Sequence, residues 1–123
     1  MKEIELDFPL QIQFRDIDRS DAVESSIWTY AEKLGRVSNR IVSCHVVISA
    51  PHRRQHNGRI YHVQIRLHVP GEQIVISSEP ELNGAHEDVH IAVRDAFAAA
   101  QRQLGELVRQ RGQHESDVRK VGL

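Results

Sequence analysis

The sequence predicts an α+β fold with the element order β-α-β-β-β-α. Four segments alternate apolar and polar residues with the period of two that is typical of a strand buried on one face. Two longer segments repeat apolar residues at helical spacing. Because each strand has one apolar face, we expect a four-stranded mixed sheet with both helices packed on one face and with the other face exposed to water.

The N-terminal third of the chain contains the first strand and the first helix. Alternation from Leu10 predicts the strand. Ser20-Asp21 is suited to provide the N-cap of the helix, with Glu24 as the capping-box partner, and Gly35 is suited to end it. The apolar residues at helical spacing between these signals are Val23, Ile27, Ala31 and Leu34.

Three further strands are predicted from residues 41–50, 61–69 and 73–78. A polar stretch with an Asn57-Gly58 turn signal separates the strands at 41–50 and 61–69. A tight Pro70-Gly71 turn separates the strands at 61–69 and 73–78. The short connections predict an antiparallel meander. The side chains of the second strand that we expect to face the core are Val42, Cys44, Val46 and Ile48. Cys44, the single cysteine, is therefore interpreted as a small core residue.

A long amphipathic stripe predicts a second helix that ends near Arg111. The residues of this stripe are Val89, Val93, Ala96, Phe97, Ala100, Leu104 and Leu107. A chain of 123 residues fits a single domain, which we place at residues 1–112, followed by a polar, flexible tail at 113–123. The acidic N-terminus has no apolar run suited to a signal peptide or a membrane span, so we expect a cytoplasmic protein without a membrane partner.

Charge is unevenly distributed along the chain. The totals, 16 Lys and Arg against 17 Asp and Glu, give a net charge of −1, which taken alone argues against a nucleic-acid partner. Residues 33–66, however, contain seven Lys or Arg and no acid, and residues 67–88 contain five acids and no Lys or Arg. The segregation points to a local anion-binding surface.

Three arginines of the second predicted helix fall on one face. At 100° per residue, Arg94, Arg102 and Arg109 lie within about 80° of one another and span roughly 22 Å. The small residues Ala98 and Gly105 between them would let a bulky polyanion approach closely. A second basic set, at the end of the first helix, consists of Lys33, Arg36 and Arg40. If the helices pack side by side, the two sets flank one groove; an ordinary solvated face is the alternative.

A possible zinc motif begins the second helix. His86-Glu87-x-x-His90 matches the pattern in which two histidines bind zinc and the glutamate acts as a general base. The motif lies at the start of a helix beside a loop, and no third ligand is well placed. A zinc hydrolase therefore stays an alternative that the context disfavours, and we expect no metal, no cofactor and no small-molecule substrate.

A series of short motifs runs in order along the chain, at residues 12–17, 31–34, 39–41, 43–47, 50–53, 58–63, 69–71, 85–89, 92–97 and 102–104. In this series the chain resembles the hibernation-promoting factor and ribosome-associated inhibitor family, also called the sigma-54 modulation or S30AE family. It implies a non-enzymatic cytosolic protein that binds 16S rRNA of the small ribosomal subunit in the decoding region. There it would occupy the mRNA and tRNA path and block translation under stress. The length is similar to that of the short form, which implies a monomer when free.

The motif matches imply a binding role for Lys33, Arg40, Arg94 and Arg102, to which the helical geometry adds Arg36 and Arg109. Other positions that can be basic in the family are not basic here: Glu24, Tyr30, Ala99, Glu106 and Val108. The resemblance therefore implies a modest affinity. A structured-RNA-binding or sigma-54-type regulatory module that acts on another partner is the alternative function.

Overall fold

The computed structural model describes residues 5–50, 53–54, 58–59, 61–78 and 88–122, with side chains at 5–50, 61–78 and 88–112. Its elements are β1 Leu10–Arg15, α1 Asp21–Val37, β2 Ser43–Ser49, β3 Arg53–Arg54, β4 Gly58–Arg59, β5 His62–Val69, β6 Glu72–Ser77 and α2 Val89–Gly122. The predicted fold class is confirmed. The small hairpin of β3 and β4 lies in the connection that was predicted as a polar turn.

The main sheet has the strand order β1-β2-β5-β6. β1 pairs in parallel with β2, which is the arrangement expected when a helix connects two neighbouring strands. β2, β5 and β6 form the predicted antiparallel meander. The tight turn between β5 and β6 contains Gly71 at a φ of 78°, a backbone conformation that glycine adopts without a steric penalty.

Both helices pack on the apolar face of this sheet. The side chains of Ile65 and Leu67 in β5 are fully buried beneath them, and so are Ile27 of α1 and Leu104 of α2. Burial of one such side chain contributes about 1.5–3 kcal/mol. Among the residues whose side chains are described, none of the buried ones is polar or charged. The core is therefore purely apolar there, and the charged groups lie on the surface.

The two helices run side by side in the same direction. Tyr30 of α1 stacks on Phe97 of α2 with ring centroids 5.4 Å apart and an interplanar angle of 24°. Further along, residues 35–40 of the first helix and its following loop line one groove together with five residues of α2, namely Leu104, Leu107, Val108, Arg111 and Gly112. The helices thus pack side by side, but the two basic sets do not flank one groove. Arg36 and Arg40 line this groove, whereas Arg94, Arg102 and Arg109 do not.

The N-terminus of α1 is only partly as predicted. The hydroxyl of Ser20 accepts a hydrogen bond from the Val23 amide at 3.2 Å, as expected of an N-cap. The carboxylate of Glu24, in contrast, accepts from Nε of Arg19 at 2.8 Å. A capping box needs an acid three residues after the cap, which is the spacing from Asp21 to Glu24. Because the cap is Ser20, Glu24 is four residues after it, and the predicted role of Glu24 was wrong.

Val42 was predicted to face the core, and this was also wrong. Its side chain is 54% exposed, while Ile41 beside it is buried. Alternation begins only at Ser43, where β2 starts, and Val47 alone departs from it by being buried on the other face. The Val42 amide still bonds to the His68 carbonyl at 2.7 Å, so the backbone is paired although the side chain points outward.

α2 continues to Gly122, well beyond the predicted end near Arg111. The apolar stripe ends at Leu107, which is why the periodicity predicts no helix further on. Residues 113–122 contain Gln, Glu, Arg and Lys, all of which favour helices, and no proline. Among the helices of the described part, none is long and apolar enough to cross a membrane.

Candidate nucleic-acid interface

The six predicted site residues are all exposed on the helical side of the molecule. Lys33 and Arg36 lie in the last turns of α1, and Arg40 lies in the loop that follows it. Arg94, Arg102 and Arg109 lie on α2. On a regular helix Arg102 and Arg109 point almost directly away from the core-facing stripe. The structure thus presents the two basic sets on the helical layer, opposite the polar face of the sheet.

Arg102 and Arg109 line a shallow depression of about 500 Å³ on the outer face of α2. Ala98 and Gly105 form part of its surface. A Cβ atom added at Gly105 would meet no atom within 4 Å, so the surface there is open. Arg94 does not line this depression. The predicted stripe is therefore divided, with Arg102 and Arg109 together and Arg94 about two turns earlier.

Three of the six cations pair with acids from the same helix. An Arg36 nitrogen is 3.5 Å from a Glu32 carboxylate oxygen, and an Arg94 nitrogen is 3.1 Å from that of Asp95. Arg109 pairs with Glu106. Exposed ion pairs of this kind are worth only about 0–1 kcal/mol, so a phosphate can replace the acid at little cost.

The other three cations have no acidic partner among the described residues. Nζ of Lys33 lies 5.7 Å from the centroid of the Tyr30 ring, a cation–π contact. No hydrogen bond or ion pair from the side chains of Arg40 and Arg102 is found within the described part of the chain. These two guanidinium groups are the ones most ready to bind a phosphate, and bidentate contact suits their planar shape.

Arg111 is a structural cation that sequence reasoning did not single out. Its Nη2 donates to the Pro70 carbonyl at 2.7 Å and lies 3.7 Å from a carboxylate oxygen of Glu72. The bond joins α2 to the turn between β5 and β6, across 41 positions of the chain. Neither charge nor periodicity signals such a long-range contact, so the sequence offered no way to find it.

Cys44 is buried, as predicted. Its side chain is 1% exposed, and burial raises the pKa of the thiol to about 12. The raised pKa keeps the sulfur protonated at neutral pH, which makes it a poor nucleophile. Cys44 thus belongs to the core and contributes no chemistry to the helical surface.

The zinc alternative gains no support from the described residues. His86 and Glu87 lie outside them. His90 is exposed near the start of α2, where its amide donates to the Asp88 carboxylate at 2.9 Å, a helix-capping contact. Within residues 5–50, 61–78 and 88–112, no group of three His, Cys, Asp or Glu side chains is close enough to hold a metal ion.

Comparison with known proteins identifies the family. The sequence profile described as "Sigma 54 modulation protein / S30EA ribosomal protein" matches residues 10–111. No curated protein matches the chain in sequence.

Two similar solved structures support the fold. The Protein Y N-terminal domain from Thermus thermophilus has a TM-score of 0.62 at 16% identity, covering 79% of this chain and 94% of its own. A ribosomal subunit interface protein from Coxiella burnetii has a TM-score of 0.62 at 17% identity, covering 82% and 98%. With the profile matching most of its length, the chain belongs to the sigma-54 modulation protein / S30EA ribosomal protein family.

Proposed function

We propose that the protein is a ribosome hibernation factor that binds 16S rRNA of the small ribosomal subunit in the decoding region. It blocks translation there under stress by occupying the path of mRNA and tRNA. Its family supports ribosome association, and so does its similarity to the ribosomal subunit interface protein from Coxiella burnetii. The mechanism is steric and needs no catalysis, and the protein acts in the cytoplasm.

The observation that carries the proposal is the set of six exposed cations on the helical layer. The six are Lys33, Arg36, Arg40, Arg94, Arg102 and Arg109. Phosphate contacts supply most of the affinity of such surfaces, because each neutralised phosphate releases a counterion. If all six contact phosphates, the logarithm of the binding constant falls with the logarithm of salt concentration with a slope of about −4 to −5.

Co-sedimentation with purified small subunits over a salt series tests the proposal. We expect binding at low salt that weakens steeply as salt rises. A variant with Arg94, Arg102 and Arg109 changed to Ala should lose about half of the slope and most of the affinity. The matched control changes Arg15, Arg19 and Arg66 to Ala, which removes the same charge from exposed positions of β1, the β1–α1 loop and β5.

Either of two results would contradict the proposal. One is that the wild-type protein stays unbound at low salt with saturating subunits. The other is that it binds arbitrary duplex RNA as tightly as it binds the subunit. The second result would indicate a general reader of RNA shape instead. Equal losses in the triple variant and its control would refute the site assignment and leave ribosome binding itself intact.

A further inference from the structure

A groove of about 480 Å³ lies where the end of α1 meets the middle of α2. This volume falls in the range of about 300–1,000 Å³ that is usual for small-ligand sites. Val69, the last residue of β5, and Leu104 lie on its inner side, where both are buried. Val108, which also lines the groove, is 39% exposed and extends its apolar surface to the rim.

Among the described residues, the charged side chains that line the groove are all basic: Arg36, Arg40 and Arg111. Arg36 lies 3.5 Å from a Glu32 carboxylate oxygen and Arg111 lies 3.7 Å from one of Glu72, and neither acid lines the groove. Exposed pairs of this kind are worth only about 0–1 kcal/mol, so both cations can still bind an anion. Arg111 is held in place by the Pro70 carbonyl, whereas the Arg40 side chain has no partner among the described residues. Three guanidinium groups around one concave surface favour an anion that accepts several hydrogen bonds, as a phosphate does.

The end of α1 does not oppose an anion in this place. Helix C-termini carry partial negative charge on their free carbonyls. The Ser38 amide donates to the Leu34 carbonyl at 3.3 Å, and Arg36 lies in the last turn. Both features offset the negative end of the helix, so the guanidinium groups decide the electrostatics of the groove.

The groove also suits a flat, partly apolar group beside the anion. Leu107 and Val108 offer an apolar surface, and Asn39 and Ser38 offer polar atoms at its edge. An Asn amide presents one donor and one acceptor, the combination that pairs with the edge of a nucleobase. An inorganic anion would leave this apolar surface uncovered.

We propose that the groove binds one nucleoside phosphate, with the phosphate on Arg36 and Arg40 and the base against Val108. The ligand is either a single unstacked nucleotide of a bound RNA strand or a free nucleotide. The proposal deepens the RNA-binding function proposed above, and for the RNA source it rests on that function. Gly105 and Val108 are neighbours on α2, so the groove adjoins the depression formed by Arg102 and Arg109.

Titration of isotope-labelled protein with the four common ribonucleoside 5′-monophosphates, followed by NMR of valine and leucine methyl groups, tests the proposal. We expect saturable shifts of the Leu107 and Val108 methyl signals, with a dissociation constant of about 1 mM or tighter for at least one nucleotide. Val108→Glu should weaken binding about tenfold or more. Val75→Glu is the matched control, because Val75 is similarly exposed, at 46%, on the opposite face of the sheet. Its affinity should stay within about twofold of the wild type.

Any of three outcomes would overturn the proposal. The first is that no nucleotide shifts these methyl signals. The second is that inorganic phosphate alone binds as tightly as the nucleotides, and the third is that only an acidic leucine-containing peptide binds. A single-stranded hexanucleotide identifies the source: tighter binding than the monophosphates indicates an RNA strand, and equal binding indicates a free nucleotide. Co-sedimentation with ribosomes is measured independently of the nucleotide titration. If the protein binds ribosomes but no nucleotide, the nucleotide site is refuted and the hibernation function stands. If it binds nucleotides but not ribosomes, the hibernation function is refuted.

Discussion

If the arginines of α2 bind phosphates as proposed, Glu106 opposes that binding, and removing its charge should strengthen it. The residue pairs with Arg109 and lines the depression that Arg102 and Arg109 share. A phosphate held by these arginines would lie about 6 Å from the carboxylate, where two unit charges in water repel by about 0.7 kcal/mol. Breaking the exposed pair adds at most about 1 kcal/mol. Glu106→Gln should therefore gain about 1 kcal/mol, or about fivefold in affinity for the small subunit.

The assay is co-sedimentation at two salt concentrations. Because the Debye length falls from about 10 Å at 0.1 M salt to about 3 Å at 1 M, the gain should shrink as salt rises. Asp18→Asn is the control, since it removes the same charge from an exposed loop before the N-terminus of α1. α1 has 17 residues and is about 25 Å long, so this loop is far from the cations at the C-terminal end of the helix. Unchanged affinity in Glu106→Gln, or an equal gain in Asp18→Asn, would refute the reasoning.

Three predictions concern stability, each measured by urea unfolding. Leu104→Ala should cost about 2–5 kcal/mol, because the side chain is 1% exposed between the helices and the sheet; a loss below 1 kcal/mol would contradict the described packing. Gly71→Ala should cost about 1–2 kcal/mol at its φ of 78°, whereas Gly105→Ala, with open space at its Cβ, should be neutral or stabilising by up to about 1 kcal/mol. Burial raises the pKa of Cys44 from 9.0 to about 12. The contribution of the protonated thiol to the free energy of unfolding is therefore complete below pH 9 and is lost as the pH rises from 9 to 12, by up to about 1.4 kcal/mol per pH unit. The free energy of unfolding of Cys44→Ala should not show this decrease between pH 9 and 12. Parallel pH profiles for the variant and the wild type would contradict the prediction.

Most of the architecture was predictable because its signals are local. The alternation in residues 61–69 and the stripe that includes Phe97 and Leu104 each follow from the period of one element. The errors occurred where the local pattern was weak. At Val42 the alternation had not yet become regular, and beyond Leu107 a polar helix carries no apolar stripe to reveal it.

The candidate site was predictable in composition more than in detail. Helical spacing placed Arg102 and Arg109 on one surface, and the depression brings them together. The acids that pair with the cations, such as Asp95 beside Arg94, were visible in the sequence, but their contacts depend on side-chain orientation. The groove between the helices, with Arg111 fixed by the Pro70 carbonyl, depends on the relative position of distant elements.

The complete absence of buried charge among the described side chains has a consequence for how this protein can change over generations. Substitutions at Glu32, Asp95 or Glu106 alter the electrostatic field of the helical surface without exposing or burying an ion in the core. Surface substitutions of this kind usually change stability by less than about 0.5 kcal/mol. Natural variants can therefore adjust the affinity for the proposed polyanion in small, nearly independent steps, while selection on folding acts on a different set of residues.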